Sequence, residues 1–471
     1  MKPRFCFVGH LRTIADMKLL ISFLLLFLSG SAVSAQQPPA SSLADRIDLL
    51  AKAVLARPSA GMSIAIARDG KTIFARGYGS ANLNHSVPVT PQTVFHIASI
   101  SKNILAAVVL QLADQGMLQL DDDVTKYVPE APTHGRRVTV GQLLSHTSGI
   151  YSFTSLPGAD INERLDLSHE QVLGLIKDKP FDFEPGSLWR YNNSGFYLAG
   201  MVVERVTKQD YGAYVQQHVF KPLGMDTASM CDASMIVPHL SSGYERDGGT
   251  LVNAPFLSWK LPFAAGAICA TPTDLLKWQD ALDSGRVLKP SSLKLMRSPT
   301  IIEDGTAVDY GLGTRLGSLE GHKVIGHTGG GGGLNGVLEN FPDDHLTIVV
   351  LINTGSGADA ALAISTAIAR PLLGLPEKRS LLDLPVPTEE IAALVGKYDS
   401  DDGPVEIFEK EGKLHFRIPG TTIEGIQQRQ AANVYSVNEN TEIHVVIVRA
   451  HDAKAIVYTG GLFMDLKTPV R

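Results

Sequence analysis

A hydroxyl and an amine three residues apart, Ser99-Ile100-Ser101-Lys102, are the first pair that could do chemistry. Residues three apart share a face of a helix, so Ser99 and Lys102 can meet. A serine hydroxyl is a poor nucleophile until a neighbouring base takes its proton. A lysine can be that base only where burial or nearby positive charge lowers its pKa. The spacing alone decides nothing, because the chain carries it twice. Ser291-Ser292-Leu293-Lys294 repeats it and reads as an exposed helix start. The first copy differs in context: Val94, Phe95 and Ile97 lead into it, and a strongly apolar run follows. There a hydroxyl can sit at a buried helix N-terminus, whose N–H groups favour developing negative charge. An N-cap serine with a solvated lysine is the simpler reading, and four residues do not exclude it.

Two further segments offer groups of the right kind. Tyr191-Asn192-Asn193 is the only Y-x-N in the chain, and His327-Thr328-Gly329 the only H-T-G. A phenol titrates near pH 10 and needs a nearby cation to act as a base at neutrality. After His327 come five consecutive glycines, 329–333. Gly331, Gly333 and Gly336 satisfy G-x-G-x-x-G by letter, but a dinucleotide fingerprint must follow a strand and open a helix. Here the glycines run into strand, turn and strand, and no G-K-[ST] follows. They suit a substrate lying close against a strand edge, although that needs fewer than five. His96 and His146 have no metal-ligand spacing, and Asp121-Asp122-Asp123 lacks the rest of a calcium loop. No metal or cofactor is expected.

The elements that must position these groups are readable in outline. "GMSIAIARDGKTIFARGYG" predicts a hairpin, with Met62, Ile64 and Ile66 alternating and Asp69-Gly70 at the turn. From about Ser99 the period changes: Ile104, Val108 and Leu112 share a face, which predicts a helix. Residues 120–235 read as helical or loop-rich, including one long helical stripe in "SGFYLAGMVVERVTKQDYGAYVQQHV". "TPTDLLKWQDALDSG" predicts a helix capped near Thr273 or Asp274, with Gly285 just past its end. Two strands around Pro342-Asp343-Asp344 and a helix through "ADAALAISTAIARPLLG" close the region. The pattern is that of an α/β (α+β) domain over 45–375, its antiparallel sheet built from both ends around a helical insert. A proline-rich, charged linker (376–389) leads to short alternating runs over 390–471, a small antiparallel, β-barrel-like domain.

At 471 residues, two or three domains are expected. With 44% hydrophobic and 19% charged residues the composition is ordinary for a globular protein. A net charge of −6 without basic tracts argues against nucleic acid as a partner. "MKLLISFLLLFLSGSAVSAQ" has Lys18 after Met17, an apolar stretch and Val33-Ser34-Ala35. That is a signal peptide ending at Ala35, with the true start at Met17. Its apolar run is too short for a membrane span, so the product is expected to be exported, periplasmic or secreted, with no span after cleavage. Cys6 leaves with the leader; Cys231 and Cys269 remain, and their spacing leaves both a disulfide and two free thiols open.

Ser-x-x-Lys, Tyr-x-Asn and a basic residue followed by Thr-Gly, in that order, resemble the serine penicillin-recognising enzymes: class C β-lactamases, D-alanyl-D-alanine carboxypeptidases and their esterase and D-aminopeptidase relatives. "VTVGQLLSHTSGI", "FEPGSLWRYNNSGFYLAG" and "GHTGGGGGLNGV" look like landmarks of the same family, and the resemblance spans roughly residues 45–370. It implies a β-lactamase/DD-peptidase-like fold, with an antiparallel sheet, flanking helices and a helical lobe. It further implies Ser99 as the acylated nucleophile, Lys102 sharing its proton, and Tyr191 as general base. Asn193 would bond Lys102 and the substrate amide, and His327, Thr328, Gly329 and Gly330 would line the substrate, with the Ser99 and Gly330 N–H groups as oxyanion donors. His327 departs from the lysine usual in class C β-lactamases. Because histidine is only partly cationic near neutrality, a carboxylate would be gripped less firmly. The resemblance therefore leans to carboxypeptidase, D-aminopeptidase or esterase activity on small-molecule or peptide substrates. A class C β-lactamase and a non-catalytic module binding penicillin or cell-wall peptide are the alternatives. No G-x-S-x-G elbow supports an α/β-hydrolase.

Overall fold

Fifteen elements carry the site. In chain order they are β1 (Gly61–Arg68), β2 (Lys71–Asn82), β3 (Val87–Pro88), β4 (Phe95–His96), α1 (Ser101–Asp114), α2 (Asn193–Thr207), β5 (Ser229–Met230), α3 (Phe263–Gly266), β6 (Ile268–Ala270), α4 (Pro272–Asp283), β7 (Arg315–Leu319), β8 (His322–Gly331), β9 (Leu334–Phe341), β10 (Leu346–Ile352) and α5 (Asp359–Leu372). The computed structural model describes residues 42–55, 59–162, 164–231, 234–247, 250–355, 359–376, 386–400, 403–417, 424–431, 434–437, 440–450 and 453–459. The leader and most of the expected linker lie outside these residues. Among them no helix is long and apolar enough to cross a membrane.

The main sheet runs β7-β8-β9-β10-β1-β2-β3. β1 pairs antiparallel with β10, from Met62↔Ile352 to Arg68↔Leu346, so both ends of the region build one sheet, as its sequence predicts. Asp69 (φ 52°) and Gly70 (φ 71°) turn β1 into β2, the left-handed pair that suits the twist of a two-residue hairpin. Alternation in β1 predicts one buried face, yet Ser63, Ala65 and Ala67 are buried along with Met62, Ile64 and Ile66. The reason is a helix on each face. Glu339 and Asn340 are neighbours on β9 and so point to opposite sides. Glu339 accepts from Ser365 Oγ of α5 at 2.6 Å, whereas Asn340 Nδ2 donates to Asp283 of α4 at 2.7 Å.

The glycine run finds its account in the β8–β9 hairpin. Gly331 pairs with Leu334, leaving Gly332 (φ 60°) and Gly333 (φ 73°) as the two central residues. Both are left-handed, as in the Asp69-Gly70 turn, and glycine takes that conformation without steric cost. Gly329 answers a different demand: a Cβ there would lie 2.2 Å from the Ile97 carbonyl oxygen. It lets β8 pass directly beside the turn that carries Ser99.

Elsewhere the boundaries shift for local reasons. Thr271, not Thr273 or Asp274, caps α4, accepting from Asp274 N at 3.2 Å, with Pro272 in the first turn. The single helix predicted after Ser194 is broken at Lys208 (φ 59°), and Asp210 caps a new one, Tyr211–Val215. Cys231 and Cys269 form a disulfide, with Cα atoms 5.8 Å apart. Toward the C-terminus seven strands, from Gly396–Ser400 to Ala453–Thr459, pair each with the next in a second antiparallel sheet.

Candidate active site

Ser99 sits on a bent approach. Val94, Phe95 and Ile97 are buried, and β4 is held by β6 through Phe95↔Ala270 and His96↔Cys269. Ala98 then turns left-handed (φ 46°), a conformation that costs an alanine of order 1–2 kcal/mol. A single 3₁₀ turn, Ala98–Ile100, carries Ser99 before α1 begins at Ser101. Ser101 Oγ accepts from Ile268 N at 3.3 Å, which ties the start of α1 to β6.

Three groups meet at this turn. Lys102 Nζ lies 2.9 Å from Ser99 Oγ, and the Tyr191 hydroxyl donates to the same oxygen at 2.6 Å. Lys102 is wholly buried and also donates to the Ala265 carbonyl at 2.9 Å. Its Nζ sits 4.8 Å from the centre of the Tyr191 ring. Burial holds the Lys102 amine well below its ordinary range and pushes the Tyr191 phenol up, against the opposing pull of its Ser99 hydrogen bond. Each shift favours the uncharged form.

Tyr191 is fixed through its neighbours. Arg190 N donates to the His146 carbonyl at 2.9 Å, and Asn192 N to His146 Nδ1 at 3.0 Å. Asn192 in turn caps α2, accepting from Gly195 N at 2.7 Å. Asn193, the first residue of α2, was expected beside Lys102. Instead its Nδ2 donates to Thr154 Oγ1 at 3.2 Å and its backbone N to Ser152 Oγ at 3.4 Å. The lysine's second bond goes to a backbone carbonyl because α3 packs over α1 at that point.

His327 is on β8, beyond Gly326, the last residue that β7 covers. Its ring is buried, 6.4 Å from that of Tyr191. A carbonyl can only accept, so Nδ1 donates to Thr328 O at 2.6 Å, and in the neutral ring Nε2 accepts from the Tyr310 hydroxyl at 2.9 Å. Burial pushes His327 well below its ordinary pKa. The expected partial cation is a neutral imidazole. Thr328 is fully buried, its hydroxyl without a hydrogen-bond partner among the described residues. Gly329 is buried, and Gly330 is exposed on the same strand.

The expected pair Ser99–Lys102 and the distant Tyr191 and His327 thus come together, while Asn193 bonds Thr154 and Ser152 rather than the lysine. Sequence reasoning missed Ala265, Tyr310 and the double hold of His146. The first acts through a backbone carbonyl, which no residue type announces.

A hydroxyl flanked by a buried amine and a partly buried phenol on this mixed α/β scaffold is the arrangement of a serine hydrolase. The chain belongs to the Beta-lactamase family, which it matches over residues 47–371. It is 30% identical over 290 residues to PbpX of Bacillus subtilis (strain 168), whose name classes it with the penicillin-binding proteins; the match covers 61% of this chain and 69% of that one. A D-aminopeptidase of Gluconobacter oxydans (strain 621H) is 26% identical over 404 residues, 83% of this chain and 73% of that one. Among solved structures, a D-stereospecific amidohydrolase from Streptomyces sp. superposes with a TM-score of 0.58 at 28% identity, covering 67% of this chain and 96% of that one.

Proposed function

We propose that this protein is an exported hydrolase that cleaves amide, peptide or ester carbonyls beside a D-configured residue through an acyl-enzyme on Ser99. The observation that carries this reading is the convergence on Ser99 Oγ of Lys102 Nζ at 2.9 Å and the Tyr191 hydroxyl at 2.6 Å. The stereochemical lean rests on the D-aminopeptidase and amidohydrolase relatives.

With the amine uncharged, its lone pair takes the Ser99 proton as Oγ bonds to the substrate carbonyl carbon. Negative charge gathers on the carbonyl oxygen, facing the N–H groups of Ser99 and Gly330. The C–N or C–O bond then breaks, and the leaving group receives a proton from Tyr191, which Lys102 replenishes. Water repeats the sequence: it loses a proton toward Lys102, attacks the ester, and Ser99 leaves with a proton. In this reading Lys102 is the base and Tyr191 the proton conduit, whereas the resemblance implied Tyr191 as general base with Lys102 sharing the Ser99 proton. Asn193 contacts substrate rather than lysine. A neutral His327 favours substrates with no carboxylate against β8, which argues against a physiological β-lactamase.

Mass spectrometry of the purified protein with a D-amino-acid amide, a D-Ala-D-Ala peptide, penicillin and a short-chain ester tests the reading. Mass should be added to the Ser99 peptide, shed fastest with the physiological class of substrate, and the mature chain should begin at Gln36. An unmodified Ser99 peptide after every substrate would sink the mechanism.

A further inference from the structure

Apart from the catalytic serine, the protein holds a second concave site, lined by none of Ser99, Lys102, Tyr191 and His327. Its volume of about 440 Å³ lies in the range of small-ligand pockets. Trp259, Phe263 and Met230 line it, and Tyr197, His169 and Glu204 give it a polar wall.

The polar wall presents acceptors. His169 Nε2 lies 3.0 Å from Glu204 Oε2; a carboxylate only accepts, so Nε2 donates. In the neutral ring Nδ1 then accepts from the Tyr197 hydroxyl at 2.7 Å, which leaves the phenol oxygen a lone pair. Asp210 adds a second carboxylate to the lining. Among the described residues Lys260 is the one lysine or arginine of the lining, and its Nζ is 2.7 Å from Asp166. The balance is negative, and the aromatic faces of Trp259 and Phe263 attract a cation as well.

The same wall reaches the catalytic serine. Phe263 opens α3, whose Ala265 carbonyl accepts from Lys102. The Trp259 ring stacks on His96, centroids 3.8 Å apart, three residues before Ser99. Trp259 (φ 63°) and Phe263 (φ 42°) are both left-handed, which bulky aromatic residues rarely are. Strain of that kind gathers at ligand clamps.

We propose that this cavity binds a small organic ammonium ion, a primary amine on an apolar or aromatic body. The nitrogen lies against Glu204 and Tyr197, and the body against Trp259 and Phe263. Binding needs no turnover, so the proposal stands or falls separately from the acyl-enzyme.

The test is calorimetric titration of the full-length protein with 2-phenylethylammonium, beside 2-phenylethanol and phenylacetate. The ammonium should bind at one saturable site, the alcohol at least tenfold more weakly, and the carboxylate not at all. Glu204→Gln and Tyr197→Phe should each weaken the ammonium about tenfold, Met230→Phe should weaken it by crowding the cavity, and Ser99→Ala should leave it unchanged. Near-UV circular dichroism identifies which variants keep the native fold, and having two polar variants guards against misfolding of one. Equal affinity for the alcohol, indifference of the folded Glu204 and Tyr197 variants, loss of binding in Ser99→Ala, or no saturable heat at millimolar ligand would each overturn the proposal.

Discussion

The two Ser-x-x-Lys segments of this chain are spelled alike and built in opposite ways. Ser291 and Lys294 lie on the short helix Pro290–Met296, and both are exposed. Ser99 rides a 3₁₀ turn after a left-handed Ala98, and Lys102 is wholly buried against the Ala265 carbonyl and the Tyr191 ring. The shared spacing provides only reach. What makes an amine into a base is removal of water, which disfavours its charged form, together with a donor and a nucleophile held in place. Those features come from β6, α3 and the Tyr191 loop, none of which is adjacent in sequence to either motif.

The largest expected effect falls on the nucleophile. Ser99→Ala should reduce turnover of a p-nitrophenyl ester or a D-amino-acid amide by roughly 10⁴- to 10⁶-fold, and Ser291→Ala should leave it within about twofold. Steady-state assays of the two variants side by side check this. Inactivation by the Ser291 change, with Ser99 dispensable, would break the contrast.

The lysines come next, and here activity and stability should move in opposite directions. Lys102→Met should lower kcat roughly 10³-fold, the scale of lost acid–base catalysis, while making the protein more stable. Burial lowers the folded-state pKa of Lys102 from its ordinary 10.5. Between that lowered value and 10.5 the unfolded chain binds a proton that the native state does not. Native stability therefore falls as pH falls through this window, by about tenfold in the folding constant per unit. Methionine escapes that penalty, so its advantage should be nil above pH 10.5, grow on acidification, and level off below the folded pKa. Denaturant midpoints at several pH values measure it. Lys294→Met, in water, should change stability by less than about 0.5 kcal/mol. An equal response of the two lysines would show that burial is not the deciding difference.

How much of this was legible in the sequence depends on where each contact is made. The meeting of Ser99, Lys102, Tyr191 and His327 was anticipated only through the family resemblance that their ordered motifs carry. The sheet built from both ends followed from periodicity and from Asp69-Gly70, a turn whose left-handed residues advertise themselves. The glycine run was ambiguous because its members serve different ends: Gly332 and Gly333 make a turn, and Gly329 clears the Ile97 carbonyl. The charge of His327 was misjudged because burial sets it, and burial comes from tertiary packing that the residue type does not announce. The expected Asn193–Lys102 bond failed for a related reason. A backbone carbonyl, Ala265, had already taken that place, and carbonyls leave no mark on residue identity.

The smallest of these effects concerns His146, which is one of the few non-glycine residues in the left-handed region (φ 61°). That bend lets one residue hold both sides of Tyr191: its carbonyl takes the Arg190 N–H and its Nδ1 the Asn192 N–H. Its ring lies 4.4 Å from that of Tyr191. Burial pushes its pKa well down, so Nδ1 stays an acceptor in mildly acid solution. His146→Leu removes that acceptor and frees the phenol, and kcat should fall roughly ten- to a hundredfold with little change in KM, the scale expected when a reacting group is misplaced by about 1 Å. His146→Asn places a carbonyl oxygen near the lost nitrogen and should recover most of kcat. If His146 served only to fill space, the two variants would instead lose stability alike and keep kcat. Among the described residues no phenol is hydrogen-bonded to the exposed Ser291, and on the proposed reading such positioning is what separates Lys102 from a lysine that merely follows a serine at the right distance.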